Sequence, residues 1–228
     1  MIGERRVLGL IPARGGSRRL PGKHLRGLGG RPLLAWTVEA GLASRHLDRL
    51  VLSSDDPALM ALAEELGCEA PFRRPPELAT DGASSEAVVG HAWERLPGYD
   101  ILVLLQPTSP FRTGEDIDRL LERLATGGAP ACVSVTRPAK SPYWCYREDA
   151  QGRLVPLLEA GDDAGPPPWQ LNGAIYAVTR AAWSATQRLL PPGVIAYPMP
   201  AERSLDIDTE LDLAVGECLV RHREETAC

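Results

Sequence analysis

The sequence predicts an α/β fold in which a mostly parallel sheet is flanked by helices. Three observations predict it. Short apolar runs of strand length alternate with longer stretches of helical period. The chain has 228 residues, 44% of them hydrophobic, enough for one substantial core. Polar segments rich in glycine, charge and proline follow several of the apolar runs, as loops gathered at one sheet edge would. One domain over residues 1–228 is expected, with room for a small appendage.

The elements follow in order. Residues 7–11 form an apolar first strand and residues 33–42 a helix. Residues 50–53 read as a second strand and 58–66 as a second helix, which Pro57 begins and Asp55 or Asp56 caps. Residues 101–105, Ile-Leu-Val-Leu-Leu, are a strand too short to cross a bilayer, and 117–124 a third helix. Further strands are expected at 131–135, 174–178 and 194–197, with a closing helix from about residue 210 to 221. The rhythm breaks over residues 137–171. Prolines stand there at 138, 142, 156, 166, 167 and 168, among Tyr143, Trp144, Tyr146 and Trp169. Such side chains suit an inserted arm that packs on a partner subunit, or a plain surface loop.

Composition narrows the function classes. A net charge of −5 argues against general nucleic-acid binding, so locally placed cations matter more than the overall balance. Cys68, Cys132, Cys145, Cys218 and Cys228 lack metal-type spacing, and no long apolar run opens the chain; a reducing, cytoplasmic setting is expected, without a membrane role. His24, His46, His91 and His222 are scattered and make no zinc site.

The segment from Leu8 to Lys23 carries the most chemistry. An apolar strand runs into a loop holding Gly15, Gly16, Arg14, Arg18, Arg19 and Lys23. Glycines let backbone N–H groups approach an anion, and the cations neutralise phosphate; a solvated surface turn is the alternative. Five residues separate Gly16 from Gly22, and His24 follows Lys23, so the run is not a Walker loop. Pro32 stands where a dinucleotide fingerprint built on Gly27 and Gly29 needs its third glycine, which disfavours an oxidoreductase.

Near the other end, Asp206 and Asp208 lie two apart in Ser-Leu-Asp-Ile-Asp. In extended chain both carboxylates then share one side while Leu205 and Ile207 face the core. That pair suits Mg2+, which takes one or two carboxylates and completes its shell with water and phosphate. Asp208 could equally cap the next helix. Gln106, at the end of an apolar strand in Gln-Pro-Thr-Ser-Pro-Phe-Arg, offers an amide to a ligand's hydroxyl or carbonyl groups, or closes a simple turn.

Six segments in one order resemble the acylneuraminate cytidylyltransferases over nearly the whole chain. They are Ile11–Ser17, Ser53–Asp56, Arg74–Ala79 with Asp81 and Ala83–Ser85, Leu105–Pro110, Asn172–Tyr176 and Asp206–Glu210. The resemblance implies a Rossmann-like nucleotidyltransferase fold and transfer of CMP from CTP to the anomeric hydroxyl of a nine-carbon 2-keto sugar acid. It also implies Mg2+ and a homodimer joined through the 137–171 arm. By the same resemblance Arg14, Arg18 and Lys23 hold the triphosphate within a nucleotide site that includes Gly15, Gly16, Ser17 and His24. The Ala13 backbone, Arg74 and Ser85 read the cytosine, Ala83 belongs to the same nucleotide site, Gln106, Asn172 and Tyr176 face the sugar acid, and Asp206 with Asp208 binds metal.

The chain departs from the family pattern in three places. Arg18 replaces a lysine, which excludes proton transfer there but keeps the charge. His24 replaces an asparagine, with ring nitrogens still able to meet a ribose hydroxyl. Before Asn172 stands Gly-Pro-Pro-Pro-Trp-Gln-Leu in place of a run containing Arg-Gln. The acceptor is thus open among sialic, legionaminic and pseudaminic acids or a small phosphonate. The Arg19–Lys23 run also resembles the 3-deoxy-manno-octulosonate cytidylyltransferases. A silent CTP-binding protein is the alternative from a different class.

Overall fold

The computed structural model describes residues 1–158 and 167–226. Its first strand, β1 (Val7–Pro12), is buried from Val7 to Ile11 because it lies inside the sheet with helices over both faces. The next strands, β2 (Gly27–Leu28) and β3 (Arg31–Pro32), form a separate small hairpin. The rest of the main sheet is β4 (Arg49–Ser53), β5 (Ile101–Leu105), β6 (Ala131–Thr136), β9 (Gln170–Thr179) and β10 (Ile195–Pro198). Between β6 and β9 come the arm's strands β7 (Tyr146–Glu148) and β8 (Leu154–Pro156).

The sheet order is β10-β6-β9-β5-β1-β4. Every neighbouring pair is parallel except the two made by β9, so five strands run one way and one runs back. Alternation along the strands sorts the core. Val7 and Ile11 face α1 (Leu33–Leu42), α2 (Pro57–Glu65) and α4 (Gly114–Gly127). Leu8 and Leu10 face α3 (Ser85–Arg95) and α5 (Arg180–Thr186). The last helix, α6 (Glu210–Thr226), closes over the β2–β3 hairpin, where Leu28 and Val220 share a third cluster with Phe111 and Ile207. No helix among the described residues is long and apolar enough to cross a membrane.

Most expected elements form, and the differences have physical causes. Helix α3 was hidden because its start falls in the Ala83–Ser85 motif, where Ser84 accepts from the Ala87 N–H and caps it. Helix α5 is only seven residues long. Strand β9 begins at Gln170, ahead of the apolar run expected to carry it, because its first residues pair with β6 at Thr136 and Val135.

Topology places the site. The chain grows from β1 to β4 on one side, then returns to β5 on the other, leaving a crevice at the carboxyl ends of β1 and β5. The β6 end and the start of antiparallel β9 lie along the same edge. Within the arm, every residue of β7 and β8 is exposed, and Trp144 and Leu154 are 71% and 70% exposed. Residues 159–166, which include Gly165 and Pro166 of the proline run, lie outside the described residues, as does Cys228.

Candidate active site

Two cavities adjoin along that edge and share Gln106. The first, about 230 Å³, is lined by Arg14, Lys23, His24, Arg74, Asp81, Ala83 and Ser85 with Gln106 and Thr108. The second, about 450 Å³, is lined by Gln106, Thr136, Arg137, Asn172, Tyr176, Ser204 and Asp206 among others. Residues from the two ends of the chain are thereby brought together. Lys23 Nζ donates to Asp208 Oδ1 at 2.7 Å, and Arg19 donates to the other oxygen.

The loop after β1 holds its cations against carboxylates. Arg14 lies 2.5 Å from Asp81, which also pairs with Arg18. Arg18 has its side chain 87% exposed and does not line either cavity. The Gly15 N–H does not turn toward the cavity: it donates to Asp55 Oδ1 at 3.1 Å, and a Cβ at Gly15 would stand 2.7 Å from Asp56 Oδ2. Glycine is needed there for close approach to the β4 loop. Asp56 caps α2 by accepting from the Ala58 N–H, with Pro57 at the first helical position. Ala13 is fully buried, its N–H donating to the Ser53 carbonyl, while Gly16 and Ser17 follow outside either lining.

Behind the first cavity, Arg74 is 4% exposed and donates through Nε to Ser53 Oγ at 3.0 Å and through Nη2 to the Ser53 carbonyl. Burial lowers its pKa to about 10, still charged at neutral pH. His24 is buried too. Burial first, then the charges of Lys23, Arg74 and Arg14, push its pKa down to about 3. It is a neutral imidazole at pH 7, and its Nδ1 has no hydrogen-bond partner among the described residues.

The loop after β5 is tied on both sides. Arg112, buried within the core edge, donates to the Gln106 carbonyl, to Thr37 Oγ1 at 2.9 Å and to the Ala174 carbonyl at 3.0 Å. The Ile207 N–H donates to the Thr108 carbonyl at 2.7 Å, fastening the Asp206 segment to the same loop. Leu205 and Ile207 pack into the third cluster, as the alternating pattern predicts. Asp206 is exposed and opens onto the second cavity; desolvation by the surrounding protein raises its pKa, the Thr108 hydroxyl and Lys23 lower it, and Asp208 adds repulsion. Asp208 does not cap α6. Thr209 and Asp212 do so reciprocally, through the Asp212 N–H to Thr209 Oγ1 and the Thr209 N–H to Asp212 Oδ2.

Strand β9 carries Asn172 and Tyr176 past an irregularity. Its register to β6 slips between Val133 and Val135, leaving Ser134 opposite the stretch from Asn172 to Ile175. Ser134 Oγ donates to Asn172 Oδ1 at 2.6 Å and accepts from the Ile175 N–H at 2.8 Å. The Asn172 amide donates to Ser204 Oγ at 2.9 Å, so this side chain is held by the protein on both ends. Tyr176 is half-buried, its phenol pKa raised by burial and then by the Asp206 charge.

Among the described residues no cluster of three or more His, Cys, Asp or Glu could hold a metal. The candidates expected from the sequence, Asp206 and Asp208, are two carboxylates, the latter accepting from Arg19 and Lys23. Magnesium fits such a pair, because it retains water and phosphate oxygens for the remainder of its shell. Asp81, Thr108, Arg112 and Arg137 had no site role in the sequence; Asp81 and the Thr108–Arg112 turn stood in or beside motif segments, which was the available signal.

Residues 8–150 match the family described as cytidylyltransferase. The chain is 35% identical to the CMP-N,N'-diacetyllegionaminic acid synthase of Legionella pneumophila, over 96% of this chain and 98% of that protein. It is 34% identical to the N-acylneuraminate cytidylyltransferase of Escherichia coli over 92% of this chain, spanning 51% of that longer protein. In fold it is similar to a CMP:2-keto-3-deoxy-manno-octonic acid synthetase solved with CTP, with TM-score 0.74, 18% identity, and coverage of 96% of this chain and 99% of the other.

Proposed function

The chain belongs to the cytidylyltransferase family, and from that premise we propose that it transfers CMP from CTP to the hydroxyl of a 2-keto sugar acid of the nonulosonate class, releasing pyrophosphate. One observation carries the proposal: a cavity lined by Arg14, Lys23 and Arg74 adjoins, at Gln106, a second lined mainly by neutral hydrogen-bonding groups. The cation-rich side suits a triphosphate. The other suits a polyhydroxylated acceptor with a single negative charge.

Nucleotidyl transfer of this kind needs alignment and charge stabilisation more than a protein nucleophile. Here Arg14, Arg18, Arg19 and Lys23 are held by Asp81 and Asp208. Phosphate oxygens would exchange for those carboxylates on the Arg14 and Lys23 side. At an effective dielectric near 20, a charge pair at about 4 Å is worth roughly 4 kcal/mol gross; because these cations already hold carboxylates, what lowers the barrier is the extra attraction to charge that develops on phosphate in the transition state. Arg74, Ala83 and Ser85 line the inner wall, where a base would sit. Gln106 and Tyr176 would present an amide and a phenol to the acceptor, while Asn172, whose amide is taken up by Ser134 and Ser204, braces the wall beside them. Asp206 and Asp208 would hold Mg2+, which supplies neutralisation of phosphate charge when bound. The exposed apolar arm would pack on a second copy of the chain, giving a homodimer.

The test is pyrophosphate release from CTP, ATP, GTP and UTP with neuraminic, legionaminic, pseudaminic and octulosonic acids and a simple phosphonate, with and without Mg2+. Release is expected with CTP and a nonulosonate, dependent on Mg2+. Tight CTP binding with no release for any acceptor would mean a silent nucleotide-binding protein.

A further inference from the structure

Arg137 is the only cation among the residues lining the second cavity, while Arg14, Lys23 and Arg74 all lie in the first. It follows directly on β6, at the neck from which the arm departs. Its guanidinium carbon stands 3.6 Å from the centre of the Trp169 ring. Nη1 donates to the Pro167 carbonyl at 2.7 Å and the Pro168 carbonyl at 3.2 Å. Stacking and these bonds restrict a side chain that would otherwise sweep solvent. The Nε and Nη2 edge has no partner among the described residues, and such an edge matches the two oxygens of a carboxylate.

We propose that Arg137, clamped on Trp169, recognises the carboxylate of the acceptor and so makes the site select an acid over a neutral sugar. This rests on the sugar-acid reading above. The other charged side chain in this lining, among the described residues, is Asp206, assigned above to the metal, so Arg137 is the group there that can pair with an acceptor carboxylate. One guanidinium balances one carboxylate; a doubly charged phosphonate would leave charge uncompensated. The proline run that distinguishes this chain from its family pattern then has a use, because Pro167, Pro168 and Trp169 are the residues that hold Arg137.

The test measures pyrophosphate release at saturating CTP with whichever of the neuraminic, legionaminic, pseudaminic and octulosonic acids the wild type uses best, and with the C1 amide of the same sugar. The wild type is expected to prefer acid to amide by about 100-fold in kcat/KM, and Arg137→Ala to lose most of that preference with acceptor KM raised about tenfold or more. KM for CTP should stay unchanged, which reports an intact fold, and Arg137→Lys should keep part of the preference. If Arg137→Ala discriminates acid from amide as the wild type does, the assignment fails even where activity drops, because loosening the arm's neck would slow both compounds alike. If the wild type releases pyrophosphate with none of the acids, the acceptor class itself is wrong and this assignment falls with it.

Discussion

His24 shows how a single residue can be set by its surroundings. It sits among Lys23, Arg74 and Arg14, buried, with its pKa lowered to about 3 from 6.5. Between those values the folded chain binds fewer protons than the unfolded one, so stability is full above pH 6.5 and falls as pH drops through that window. At pH 5 the loss from this residue is about 2 kcal/mol relative to pH 7.5. His24→Asn should therefore lose less stability than the wild type over the same range. Urea unfolding of both proteins at pH 7.5 and pH 5 checks this, and parallel losses would refute it. Arg18 and Lys23 make the complementary point: five residues apart on one loop and alike in charge, they differ because Asp208 holds Lys23 inward while Arg18, paired with Asp81, stays largely in solvent.

Strand β9 is the element on which the second cavity depends. Being antiparallel, it starts where its parallel neighbours end, so Asn172, Gly173 and Tyr176 reach the edge that holds Gln106. Gly173 has φ +77°, a conformation that side chains resist, and a Cβ there would lie 3.5 Å from Gln106 Oε1. Gly173→Ala should cost about 1–2 kcal/mol in stability through the backbone and raise KM for the acceptor more than for CTP. Denaturant unfolding with steady-state kinetics reads both; an unchanged midpoint would show that the strand tolerates the methyl group. The irregular pairing with β6 was not legible beforehand, because nothing local in the chain ties Ser134 to Asn172 until their mutual hydrogen bond is seen.

For the whole molecule, the arm is the feature that a single chain leaves unfinished. Trp144 and Leu154 lie in the open, with apolar neighbours on both arm strands. If the arm packs on a second copy as proposed, Trp144→Ser with Leu154→Ser should shift the protein from dimer to monomer in sedimentation velocity, while leaving its thermal unfolding cooperative. A wild-type monomer at micromolar concentration would remove the basis for the dimer. The alternation of apolar runs was enough to expect the layered sheet, since burial on both faces demands continuous apolar strands.

By itself, the sequence determined the α/β class, most strands and helices, and the family, because periodicity, capping residues and ordered motifs are local properties of the chain. The pairing of Lys23 with Asp208, the diversion of the Gly15 N–H to Asp55, the capping of α6 by Thr209 and the approach of Arg137 to the second cavity were decided only by tertiary structure. Each depends on which distant residues the sheet order brings within hydrogen-bond reach, and hydrogen bonds and ion pairs form by distance and angle, whatever the separation along the chain.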